Sequence, residues 1–212
     1  MKLRDLRTVF ICPDHNEKYT RRKEHMFLLL KDFSNARHFK SGTENYPSCL
    51  LQAFIDILEA HMDDEPLLIL EDDVAFAGRD DDEIDIPPNV DAVYLGLSIF
   101  RGSPTINHSD GVHELSAFSD KQVRVLNMLA THAIVYVSKA YKQAVVDTLK
   151  PYIGIDYHSD VLISRLHSSF LILANKKPSF YQSSEFNPQS RVQVDTDIEI
   201  LDNLSFVRKS GC

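Results

Sequence analysis

Residues Pro66-Leu67-Leu68-Ile69-Leu70 form an apolar run that stops on Glu71-Asp72-Asp73 before Val74-Ala75-Phe76 resumes it. Apolar runs this short read as buried strands. A strand buried on both faces belongs to a mostly parallel sheet covered by helices, and the ligands of such sheets sit beyond the carboxyl ends of the strands. The three acids fall at that end. Crowded within about 10 Å of chain, they repel one another, and a divalent cation bridging to a phosphate relieves that arrangement.

The flanking sequence repeats a strand and helix pattern. Residues 8–12 are apolar and β-favouring and are closed by Pro13-Asp14, which predicts a first strand and a turn. Apolar positions at helical spacing predict a helix over 17–33, and a second over 46–61 with Leu50, Leu51, Phe54, Ile57 and Leu58 on one face. Residues 36–40 and 91–97 read as further strands. The segment 98–119, rich in Gly, Ser, Pro, Asn and His, lacks a period and is expected to leave the sheet as a lid or acceptor loop. Residues 121–128 and 131–137 are expected to be strands that bring antiparallel pairing into the second half. Lys139 to Leu149 reads as a helix with Ala140, Ala144, Val145 and Leu149 inward, and Ser159 as the N-cap of another running to Leu166. Residues 170–174 and 179–181 are short strand candidates. This order argues for an α/β fold with a mixed, mainly parallel central sheet flanked by helices.

The length of 212 residues suits one domain over the whole of 1–212. An excess of 31 acidic over 23 basic residues, a formal charge of −8, argues against nucleic acid or an anionic membrane as partner. With no 18-residue apolar span and a charged N-terminus, neither membrane insertion nor a signal peptide is expected. Cys12, Cys49 and Cys212 lack metal or disulfide spacing, which fits a reducing, cytoplasmic setting.

At Glu71-Asp72-Asp73 the sequence resembles the glycosyltransferases of the lipopolysaccharide-biosynthesis family, which have the GT-A fold, and within them the enzymes encoded by large chlorella viruses. Further landmarks follow in order: residues 91–96 ending in Leu95-Gly96, Thr131-His132-Ala133, Asp156 and Asp160 before a helix, and residues 178–182. The resemblance spans roughly residues 7–190. At the start of the second helix the chain reads Tyr46-Pro47-Ser48-Cys49-Leu50, where family members often carry Gly-Cys and then Ser-His.

The resemblance implies a UDP-sugar donor such as UDP-glucose or UDP-rhamnose, Mn²⁺ or Mg²⁺ as cofactor, and a glycan or glycoprotein acceptor, as in viral capsid-protein glycan synthesis. It implies a nucleotide-binding half over about 1–97 and an acceptor half over about 98–212. In such a transfer the leaving diphosphate needs metal or cations to stabilise its charge. Asp73 is the expected metal ligand, with Glu71 near the ribose or a metal-bound water and Asp72 between them. Cys12, Pro13, Asp14, Arg22, Thr43, His132 and Gln182 join them as donor-binding candidates, and Glu185 and Asn187 as outer additions. An inverting transfer also needs a carboxylate to take the acceptor proton, and Asp160, then Asp156, are the candidates.

Each residue has a plainer reading. Acidic runs are often solvated loop, a buried histidine is more often core than ligand, and an Asp before a helix caps it. The rival stretch 80–85 follows no strand and reads as solvated loop. Two other function classes share the acids: a nucleotide-sugar or carbohydrate-binding module without turnover, and a metal-dependent nucleotidyltransferase. The second would normally carry a phosphate loop of the G-x-x-x-x-G-K-[ST] type, which is absent.

Overall fold

The computed structural model describes residues 1–77 and 83–186. In chain order the elements are β1 (Arg7–Pro13), α1 (Glu17–Leu29), β2 (Ala36–Ser41), α2 (Ser48–Ala60), β3 (Leu67–Glu71), β4 (Val74–Phe76), β5 (Ala92–Tyr94), β6 (Phe100–Gly102), β7 (Ser109–Val112), β8 (Glu114–Ala117), β9 (Gln122–Asn127), β10 (Ala133–Tyr136), α3 (Lys139–Leu149), α4 (Ser159–Ser164), β11 (Ile172–Asn175) and β12 (Phe180–Gln182). Eight strands make one sheet in the order β2-β1-β3-β10-β5-β11-β9-β8. From the pairings, β2, β1, β3, β5, β11 and β8 run one way, and β10 and β9 run the other. The chain is thus α/β with a mixed, mostly parallel sheet.

The alternation along β3 explains the layers. Leu67 and Ile69 face a core built with Leu51, Phe54, Leu58, Tyr141, Val145 and Leu162 from α2, α3 and α4. Leu68 and Leu70 face the opposite core with Met26 of α1 and Leu3, Leu6 and Leu30. All four β3 side chains are fully buried, each worth about 1.5–3 kcal/mol relative to exposure. The strand is covered on both faces, as its unbroken apolar run requires.

Helix starts follow their capping chemistry. The Asn16 side chain accepts the Tyr19 N–H at 3.3 Å to open α1, and Ser138 Oγ accepts the Tyr141 N–H at 3.1 Å to open α3. Helix α4 begins at Ser159 itself, and His158 in the cap position makes no side-chain cap bond. The Asp160 carboxylate instead accepts the neighbouring Val161 N–H at 2.8 Å.

Several expectations are corrected. Helix α1 ends at Leu29, not Phe33. Ala140 is exposed, and α3 turns Tyr141, Lys142, Val145, Val146 and Leu149 inward. The segment 98–119 is more ordered than its composition suggests, forming the β6–β7 hairpin and then β8 at the sheet edge. Strands β9 and β10 are not partners. The first lies between β11 and β8, the second between β3 and β5. The apolar run does not continue through the acids either: Asp72-Asp73 is a turn, and β4 beyond it pairs with β12 in a separate two-stranded sheet.

Candidate active site

The antiparallel insertion of β10 builds the site. Because β10 runs opposite to β3, with Ala133 facing Leu70, the residues just before it arrive at the carboxyl end of β3. Thr131 Oγ1 therefore donates to Glu71 Oε1 at 2.6 Å, and the Glu71 N–H donates to the His132 carbonyl at 3.0 Å. The Glu71 carboxylate is fixed in direction by this pair.

Of the three acids, Asp72 is neutralised within the protein. Arg22 Nη1 lies 2.6 Å from Asp72 Oδ1 with both side chains almost buried, and the second guanidinium nitrogen donates to the Phe186 carbonyl. The Cys12 thiol lies beside the same carboxylate, and burial together with that charge pushes its pKa far up. It is no nucleophile at neutral pH. Asp73 is buried in the turn, and its carbonyl accepts the Ser183 N–H at 2.7 Å, which ties the stretch after β12 to the acids.

Glu71 shows the electrostatic state of the site. Burial, then the charges of Asp73, Asp160 and Asp72, push its pKa up to about 8, against the lowering effect of the Thr131 hydrogen bond. Asp160 is also raised, by burial, although His158 and the Val161 N–H oppose the shift. Tyr46, on the loop before α2, is exposed, and the charges of Glu71, Asp160 and Asp73 raise its pKa. Glu71, Asp73, Asp160 and Tyr46 thus share one field. His132, whose carbonyl accepts the Glu71 N–H, is buried and pushed down to about 4 by that burial, so it is a neutral imidazole at neutral pH.

Other candidates lie further out. Asp14 is exposed, paired with Lys23 at 2.7 Å and Lys40 at 3.9 Å, and Lys23 holds its carboxyl below the ordinary value. Cys12 and Pro13 end β1, and the Cys12 carbonyl is bonded to the His38 ring at 2.9 Å. Thr43 is half-buried after β2, and Gln182 ends β12 opposite Val74. Arg21 and Glu185 are exposed and pair with each other at 3.3 Å. Asp156 is exposed with its carbonyl taken by Asn107 Nδ2 at 2.8 Å. Residues 80–82 of the rival acidic stretch and Asn187 lie outside the described residues.

Two site residues escaped sequence reasoning. Thr131 was visible only as part of a landmark, and its role depends on β10 running antiparallel to β3. Tyr46 carries no local signal.

The donor set is one of hard oxygens, and it suits Mn²⁺ or Mg²⁺ chemically. Among the described residues, no three His, Cys, Asp or Glu side chains assemble as a metal cage. An ion held here would draw most of its ligands from water and phosphate, as Mg²⁺ commonly does. A cavity of about 600 Å³ opens at the other end of the sheet, lined by Arg7, Thr8, Asn35, Arg37, His61 and Glu65. It lies at the amino ends of β1 and β3, away from the ligand side of such sheets, and Arg7 is already paired with Asp63 and Glu65. No described helix is long and apolar enough to cross a membrane.

No family profile matches the sequence, and no curated protein does. Among solved structures, A197 from STIV overlaps 83% of this chain and 84% of its own at 15% identity, with a TM-score of 0.43. A glycosyltransferase involved in glycosylation of the major capsid of PBCV-1 overlaps 94% of this chain and 98% of its own at 12% identity, with a TM-score of 0.39. Both overlaps are loose.

Proposed function

We propose that the chain is a metal-dependent glycosyltransferase of GT-A type, moving a hexose or deoxyhexose from a UDP-sugar to a glycan acceptor. The observation that carries this reading is the acidic turn that closes buried β3, where Thr131 Oγ1 donates to the Glu71 carboxylate at 2.6 Å and Arg22 occupies Asp72, with Glu71 raised to about 8 by burial and then by the charges of Asp73 and Asp160. Such a site calls for positive charge, and a divalent ion with a diphosphate supplies it.

In this reading Asp73 and Glu71 hold the ion, and Thr131 keeps Glu71 aimed. The Arg22–Asp72 pair fixes the turn that presents Asp73. A bound Mn²⁺ or Mg²⁺ would offset the charge that develops on the UDP leaving group. Asp160, whose raised pKa suits a base, takes the proton of the attacking hydroxyl.

The test is turnover. Incubation with UDP-glucose and other UDP-sugars, Mn²⁺ and oligosaccharide acceptors should release UDP and add one sugar mass to an acceptor. Asp160→Asn should cut the rate by about 10²-fold or more while donor still binds. Donor binding without turnover would favour a binding module, and incorporation of nucleotide a nucleotidyltransferase.

A further inference from the structure

Tyr46 is a large aromatic residue left 65% exposed at the rim of the acids. It is nevertheless held. Its ring packs edge-on against His158 with centroids 6.0 Å apart, and Ser48 at the start of α2, two residues on, accepts the Gly154 N–H through Oγ at 2.8 Å. His158 is fixed in turn through its N–H to Asn107 Oδ1 at 2.8 Å, while Asn107 Nδ2 holds the Asp156 carbonyl. The exposed Tyr46 ring thus packs on a fixed residue, His158, that lies two positions before Asp160. Ile153 and Ile155, in the loop that carries His158, are 39% and 50% exposed.

A braced, exposed aromatic face beside carboxylates is the arrangement that takes a sugar ring: the C–H face covers the aromatic ring and the hydroxyls reach the acids. We propose that Tyr46, braced by His158, is the platform for a neutral acceptor sugar, holding one of its hydroxyls toward Asp160. This rests on the glycosyl-transfer reading. Asp160 must be ionised to act as the base, and its carboxylate disfavours an anionic sugar beside it, so the acceptor terminus is an uncharged hexose or deoxyhexose rather than a uronic acid.

The experiment is ligand-observed NMR on the full chain with methyl β-D-glucopyranoside, methyl α-L-rhamnopyranoside and methyl β-D-glucuronide, with and without saturating UDP and Mn²⁺. Calorimetry with UDP-glucose and Mn²⁺ runs in parallel. A neutral glycoside should bind the wild type, weaken about tenfold in Tyr46→Ala, as loss of one aromatic anchor does, and persist in Tyr46→Phe. The glucuronide should bind at least about tenfold more weakly. The proposal is overturned if Tyr46→Ala binds the neutral glycosides as the wild type does, if none binds under either condition, or if the glucuronide binds equally well. If UDP-glucose fails to bind the wild type while a neutral glycoside binds through Tyr46, the transfer reading falls and the platform stands.

Discussion

The His132 imidazole occupies the space that a side chain at position 96 would need: a Cβ built on Gly96 would lie 1.9 Å from His132 Nε2. The glycine after β5 is therefore required by the histidine before β10, and the two strands are neighbours in the sheet. Gly96→Ala should cost about 1–3 kcal/mol as an overpacked core. Chemical denaturation of both single variants and the double variant checks this, because His132→Ala should relieve most of the cost of Gly96→Ala if the contact is its cause.

Truncating Arg22 should be severe. Its guanidinium is almost buried against Asp72, and removal leaves a buried charge without its partner, a loss of about 3–5 kcal/mol. Arg22→Met should show this by urea denaturation, and Arg22→Met with Asp72→Asn should recover much of it.

Lys142 is fully buried and donates from Nζ to the carbonyls of His61, Asp63 and Glu65 at 3.1, 2.7 and 2.8 Å, closing the turn that leads into β3. Lys142→Met removes the Nζ donor from all three carbonyls, of which that of His61 keeps the Asp63 N–H at 2.9 Å, and should destabilise by about 2–4 kcal/mol. It lies at the amino end of β3, so UDP-sugar affinity of the folded variant, measured by calorimetry, should not change.

Stability of the metal-free protein should fall between about pH 6.5 and 8. Glu71 has a folded pKa of about 8 against an ordinary 4.5, so between those values the folded state holds more protons than the unfolded, and stability declines as pH rises. His132, at about 4, and His167, at about 3, act in the opposite sense below their ordinary 6.5, where stability is lost as pH falls. Above pH 6.5, of these three groups only Glu71 contributes a slope. Denaturation with chelator present should show the decline, and Glu71→Gln should flatten it; an unchanged slope would place the titration elsewhere.

What the sequence made legible was local. Helix α3 has the bounds its periodicity predicts, and β3 ends on Glu71 because its apolar run does. Strand β5 covers only Ala92–Tyr94 of its apolar run, and at its start the Asp91 side chain accepts from the Ser138 hydroxyl and the Leu171 N–H. The β6–β7 hairpin was invisible because β7 is exposed throughout and has no core face to leave a pattern. At the site, the acids announced themselves by their position after an apolar run. The neutralisation of Asp72 by Arg22, fifty residues away, and the aiming of Glu71 by Thr131 depend on which strands are neighbours, and single-sequence periodicity does not report that.

The central claim is that Asp73 presents a divalent ion to a UDP-sugar at the end of β3. Calorimetry of UDP-, GDP- and CMP-sugars with and without Mn²⁺, on the wild type and Asp73→Ala, tests it most directly. Binding of a UDP-sugar that requires Mn²⁺ and is lost in Asp73→Ala is the predicted result. Absence of nucleotide binding, or undiminished binding by Asp73→Ala, would contradict it.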